Sequence, residues 1–149
     1  MPREHSSIKM SPEELARFTA GETRCVVGTL DADGGPWGDA AACAFHDGRL
    51  YFRVPAATRT LRNIQRDGRV CCAIESHPSG SEYYTIKGAT FHGHAQPADA
   101  AALTHLEKTL GRLPDPVSGS PAEKGSTFSV GSGDVLSFDF AKINRRFET

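Results

Sequence analysis

The 149-residue chain has no run of eighteen apolar residues, so no segment of it is suited to cross a bilayer as a helix. It has no surplus of either charge: 17 Lys+Arg stand against 18 Asp+Glu, a formal net charge of −1. General binding to nucleic acid or to anionic membranes wants a large basic excess, so neither partner is expected. The N-terminal MPREHSSIKMSPEE lacks the apolar stretch of a secretory signal, and a cytoplasmic location is the expectation. Cysteine is scarce and unpatterned. Cys25, Cys43, Cys71 and Cys72 show no C-x-x-C spacing and lie in apolar runs, so they read as buried free thiols, not as metal ligands. No Ser-His-Asp order and no paired carboxylates stand out. Gly131-Ser132-Gly133 and Gly119-Ser120 lack the Gly-Lys-Ser/Thr ending and the strand-loop-helix setting of a phosphate cradle.

What is present is one domain's worth of strands, 1–149, long enough to bury a core without a disulfide or metal staple. A helix over 10–21 is marked by Ser11-Pro12-Glu13-Glu14, which combines an N-cap serine, a proline at the first helical position and a capping-box glutamate. Strands follow at 24–31, 36–46 and 49–54, joined by DADGG and by the hairpin signal Asp47-Gly48. In the third, Leu50 and Phe52 face one way, Tyr51 and Arg53 the other. A helix from Thr58 to Gly68 precedes an apolar strand at 70–76. Residues 82–96 suit one bent strand, Pro97 opens a third helix carrying Leu103, Leu106 and Leu110, and 134–143 is a last strand. The polar stretch 112–133 between them reads as a flexible loop or lid, with Ser120-Pro121-Ala122-Glu123 able to start a short helix in it. The sum is a mainly β, six-stranded antiparallel barrel with two to three flanking helices; strands that follow one another without helical crossovers exclude a doubly wound α/β sheet.

The stretch TRTLRNIQRDGRV, 58–70, holds four arginines in an otherwise balanced chain. Leu61 and Ile64 are its inward positions. Arg59, Arg62 and Arg66 share an outward face, which alone suits a solvated helix surface as well as a ligand. The helix start adds something sharper. Free backbone N–H groups and the positive dipole end favour an anion there. Thr58, Arg59 and Thr60 lie at that end, and Arg53 is close upstream.

The run from LDADGGPWGDAAACAFHDGRLYF through TRTLRNIQRDGRV to YYTIKGATFHGHAQP resembles the pyridoxamine-phosphate-oxidase-like split β-barrel family over roughly residues 12–97. The shared features are the order of a capped helix, a Leu-Asp-Ala-Asp-Gly hairpin, an Asp-Gly-Arg-Leu-Tyr-Phe strand, a hydroxyl-arginine helix start and a Gly-x-x-x-x-Gly-x-Ala strand. The resemblance implies a homodimer that binds FMN in clefts at the subunit interface. It places the phosphate-binding Ser-Arg-Lys of the family on Thr58, Arg59 and Thr60, with Thr60 in the lysine's place and Arg53 or Lys87 supplying charge. Its Tyr-Thr pair falls on Phe52 and Arg53. The strand along the isoalloxazine falls on Asp39 to Cys43, where Ala40, Ala41 and Ala42 leave room for a flat ring. Asn63 joins the cofactor-binding set through the family's Asn-Ile/Leu motif. The substrate-phosphate arginines of a pyridoxamine-phosphate oxidase are not recognisable, so an FMN-dependent oxidoreductase of another, unidentified small molecule is expected. Members of the superfamily that use the deazaflavin coenzyme F-420, and flavin- or haem-binding carriers without catalysis, are the alternatives.

The histidines carry less. His92 and His94 share a strand face without a third ligand in sight. His46, His77 and His105 read as surface or satisfied groups. Tyr83, Tyr84 and Trp37 read as core or interface packing, and no metal is expected.

Overall fold

A computed structural model describes residues 8–77, 85–119 and 125–142. It contains α1 (Pro12–Ala20), β1 (Arg24–Leu30), β2 (Pro36–His46), β3 (Arg49–Val54), α2 (Arg59–Arg66), β4 (Arg69–Ser76), β5 (Lys87–His94), β6 (Gln96–Pro97), α3 (Ala100–Leu106), a 3-10 turn (Leu110–Arg112), β7 (Ser126–Gly131) and β8 (Val135–Asp139). All strand pairs are antiparallel, in the order β6-β7-β3-β2-β1-β4-β5-β8. β6 lies at one end of that order and β5 next to the other end, yet only Ala95 separates them in the chain. The sheet must therefore roll up until its ends meet, while β8 continues the sheet past β5. The result is a split barrel.

The sequence explains the turns. Asp47 and Gly48 both have positive φ, 50° and 75°, as a two-residue type I′ hairpin requires. The β1–β2 turn closes by hydrogen bonds from Asp31 N–H to Gly35 O and from Gly34 N–H to Asp31 O. Inside the barrel, Val27, Leu50, Phe52, Cys72, Phe91 and Val130 are fully shielded, Phe52 stacking on Phe128 with centroids 6.1 Å apart. Each such aliphatic or aromatic side chain stabilises the fold by about 1.5–3 kcal/mol relative to exposure. The opposite face of β2 and β3 carries a second cluster, in which Ala42 and Tyr51 pack under Leu106 and Leu110. Cys25, Cys43 and Cys72 are buried and unpaired, and Cys71 is half-buried. Hydrogen bonding with Cys25, then burial, pushes the Cys43 thiol well above its ordinary value, so it stays neutral.

Several expected elements differ in detail. The sheet has eight strands where six are expected, because Gln96–Pro97 and Ser126–Gly131 also pair. The second of these lies inside the stretch read as a loop: Thr127, Phe128 and Val130 are buried against β3, so 126–131 is structural and only its N-terminal side remains a candidate lid. Pro97 does not open α3. Its ring can sit on a short edge strand, and the Asp99 carboxylate caps the helix by accepting from Ala102 N–H at 2.8 Å. β5 starts at Lys87; Tyr83, Tyr84 and the 120–123 helix start lie outside the described residues.

α1 forms as its sequence dictates. Ser11 and Glu14 exchange capping-box hydrogen bonds, and Pro12 takes the first turn. Glu14 also accepts from Lys142 Nζ at 2.7 Å, tying the helix to the residues after β8. That bond, followed by the Ser11 backbone N–H, lowers the Glu14 carboxyl from 4.5 to about 2. A carboxylate depressed in the folded state contributes stability that is complete above pH 4.5 and disappears as pH falls towards about 2. Thermal unfolding of Glu14→Gln against the parent should therefore show a gap that is present at neutral pH and closes in acid. A gap independent of pH would mean that the ion pair contributes nothing.

Candidate functional site

The start of α2 is set by an unusual backbone. Ala57 sits at φ 60°, a left-handed conformation that costs a residue with a Cβ on the order of 1 kcal/mol and that turns the chain from β3 into the helix. Thr58 then caps it, its hydroxyl oxygen accepting from Leu61 N–H at 3.3 Å while the hydroxyl donates to Pro55 O at 2.8 Å. This places the first turn of α2 beside the middle of β2.

Between them lies a cavity of about 180 Å³. Its walls are Val27, Ala40, Ala41, Val54, Pro55 and Val117, and its polar groups are Asp39, Arg53, Thr58, Thr60, Asp115 and Ser118. Five of the expected residues, Ala40, Ala41, Arg53, Thr58 and Thr60, thus come together. Strand pairing explains how: β2 lies between β1 and β3, so Ala40 and Arg53 are brought to one end of the barrel.

Four expected residues are placed elsewhere. Arg59 turns away from the cavity and forms a two-pronged pair with Asp31, Nε to Oδ1 at 2.9 Å and Nη2 to Oδ2 at 2.5 Å. Its guanidinium lies 3.9 Å from the centroid of the Trp37 ring. Arg59, followed by Asn63, holds the Asp31 carboxyl below its ordinary value, and Asp31 in turn raises Arg59. Asn63 is buried and donates to Thr29 Oγ1 and Asp31 Oδ1 at 3.0 and 2.9 Å, while its oxygen accepts from Arg66. It clamps α2 to β1. Ala42 is covered by Leu106 and Leu110. Lys87 lines a different recess, with Glu14, Arg17, Phe18 and Asp139.

The structure gives side-chain roles to Asp39, expected only as the start of the ring-facing strand, and to Trp37, expected only as packing, and adds Asp115. Asp39 Oδ2 accepts from both Trp37 Nε1, at 2.9 Å, and Thr60 Oγ1, at 2.5 Å. Trp37 is thereby held on its edge by Asp39 and on its face by Arg59. The signal was available in the spacing Trp37-x-Asp39, two residues on one strand face amid small neighbours. Asp115 is 4% exposed and lines the cavity. Its Oδ2 accepts from Val117 and Ser118 N–H, so it shapes the turn that closes over the cavity. Away from the site, the rings of His46 and His105 stack with centroids 4.0 Å apart, a contact between β2 and α3 that no local pattern announces. Among the described residues no three His, Cys, Asp or Glu side chains form a group suited to a metal.

A larger open recess of about 600 Å³ adjoins this site on the outer face of the sheet. It shares Ala40 with the first cavity and is lined also by Arg24, Val26, Ala73, Thr90 and Phe138. Val26 and Leu136 on this side of the sheet are 52% and 66% exposed.

Residues 11–127 match the family described as pyridoxamine 5'-phosphate oxidase. No curated protein matches the chain. Among solved structures, a conserved hypothetical protein of Mycobacterium tuberculosis is 23% identical with a TM-score of 0.72, over 93% of this chain and 91% of that one. The haem storage protein of Vibrio cholerae is 13% identical with a TM-score of 0.64, over 85% and 94%. An FAD-binding protein of Mycobacterium smegmatis is 13% identical with a TM-score of 0.64, over 86% and 95%. At these identities the likeness is one of fold.

The Arg59 contacts make a direct prediction. Trp37 is the sole tryptophan of the chain, so its emission reports on this corner alone. Arg59→Ala should leave the fold intact, shift Trp37 emission to the red as water reaches the ring, and lower the melting temperature slightly. An unchanged emission spectrum would show that the guanidinium does not cover the indole in solution.

Proposed function

The chain belongs to the pyridoxamine 5'-phosphate oxidase family, and from that premise we propose that it is a flavin-binding redox protein whose flavin is FMN. The observation that carries the reading is the cavity where Ala40 and Ala41 of β2 meet the capped start of α2. The small side chain of Ala40, on the face of β2 opposite to the buried Ala41, leaves room for a flat ring, and Val27, Val54 and Val117 give the cavity an apolar lining. Arg53 and the first-turn N–H groups of α2 supply the polar end. Ala40, shared by the two cavities, would let a ring reach towards the outer recess. The described lining of the smaller cavity contains no histidine, cysteine, methionine or tyrosine to ligate a haem iron, which favours flavin over haem.

When bound, a flavin supplies the electron-transfer chemistry, and the protein's part is to position it. Ala40 would lie against the ring. Arg53 counters anionic charge. The turn of 115–118, held by Asp115, keeps water from one side. A second copy of the chain covers the outer recess and completes the site, a reading supported by the exposed Val26 and Leu136 beside it. Such a protein sediments as a dimer, and Val26→Glu shifts it to monomer; a monomeric parent would refute this part.

Titration with FMN should quench Trp37 emission saturably, because the ring lies next to Asp39 and the cavity wall. Ala40→Phe fills the shared wall and should weaken FMN binding more than about tenfold without unfolding the barrel. Absence of quenching in the parent, or undiminished binding by the variant, would contradict the assignment.

A further inference from the structure

The charge that the described residues give the small cavity does not match a phosphate. Among the described residues its ionisable lining is two carboxylates, Asp39 and Asp115, against one guanidinium, Arg53. Arg59, the other cation near the helix start, is paired with Asp31 and lines a separate open cleft with Arg62 and Arg66. The Thr58 hydroxyl is used by Pro55 and Leu61, and the Thr60 hydroxyl by Asp39. Asp39 Oδ2 takes two donors, while its Oδ1 accepts no hydrogen bond among the described residues. Asp39 lines the cavity, and this second oxygen keeps the capacity to accept from an N–H or O–H.

We propose that Asp39 is the specificity-determining residue of this cavity, accepting a hydrogen bond from an uncharged donor of the bound flavin and denying its phosphate a gain at the Thr60 end. The proposal rests on the flavin reading above. A dianion placed beside a fixed carboxylate loses much of what Arg53 and the helix dipole offer it. An amide or hydroxyl donor, by contrast, gains a charge-assisted hydrogen bond. Thr60 and Trp37 hold the carboxylate in place, so it cannot swing aside to admit the phosphate. Discrimination therefore resides in one strand residue.

The experiment is parallel titration of FMN and riboflavin into the parent, Asp39→Asn and Thr60→Lys, followed by Trp37 emission, with near-ultraviolet circular dichroism to confirm folding. The parent should bind the two flavins within about tenfold of each other. Asp39→Asn keeps an acceptor for Thr60 and Trp37 but removes the charge, and should raise the preference for FMN by about tenfold or more. Thr60→Lys neutralises the same carboxylate without altering it and should act in the same direction, which covers a failure of the first variant to fold. A parent that already favours FMN by about a hundredfold, or a preference unchanged in a folded variant, overturns the proposal and leaves the flavin reading intact. A parent that binds neither flavin overturns both.

Discussion

Barrel closure through Ala95 is the constraint on which the molecule depends. β5 pairs with β4 and β8 on one side of the sheet, and one residue later β6 pairs with β7 on the other. Such a link can be satisfied only by a curled sheet, and its ends are fastened where Ala95 N–H donates to Gly68 O and Ala98 N–H to Thr127 O. The approach is close: a Cβ on Gly93 would stand 3.3 Å from Val130. Curling wraps the central strands β2 and β1 around Phe52, Phe91 and Val27 and brings the first turn of α2 to the middle of β2. The cavity, the recess and the hydrogen bonds between them all sit on that arrangement.

A continuous polar chain couples the site to the outside of α2. Asp31 holds Arg59, Arg59 covers Trp37, Trp37 donates to Asp39, and Asp39 accepts from Thr60 in the helix. Asn63 joins its start by donating to Asp31, and Arg66 closes it by donating to Asn63 Oδ1 and Leu30 O. The arginines of α2 divide accordingly. Arg59 and Arg66 fasten the helix to the β1–β2 hairpin, and among the described residues Arg62 reaches only the Ala57 carbonyl. A basic helix face thus acts largely as a docking device for the hairpin.

Much of the fold was legible from local chemistry. The capping box at Ser11, the Asp47-Gly48 hairpin and the opposed faces of Leu50/Phe52 and Tyr51 each follow from the chemistry of a few neighbouring residues, and each stands in the structure. The strand 126–131 was not, because Thr127 and Ser129 look polar until β3 buries them. The site divides in the same way. Ala40, Ala41, Arg53, Thr58 and Thr60 converge because their strands and cap were readable. The direction of Arg59 was not readable, since a side chain at a helix start can face a ligand or a neighbouring hairpin, and Asp31 is twenty-eight residues away. Asp115 was equally hidden, as only the folded turn brings it over β2.

The central claim is that the cavity between β2 and the start of α2 seats a flavin. The most direct measurement is the absorption spectrum of the purified protein after mixing with FMN and removal of the unbound excess by gel filtration. The two long-wavelength flavin bands should travel with the protein in a fixed ratio to the chain. A colourless protein peak, or a protein that takes up haem and shows a Soret band in place of the flavin bands, would contradict it.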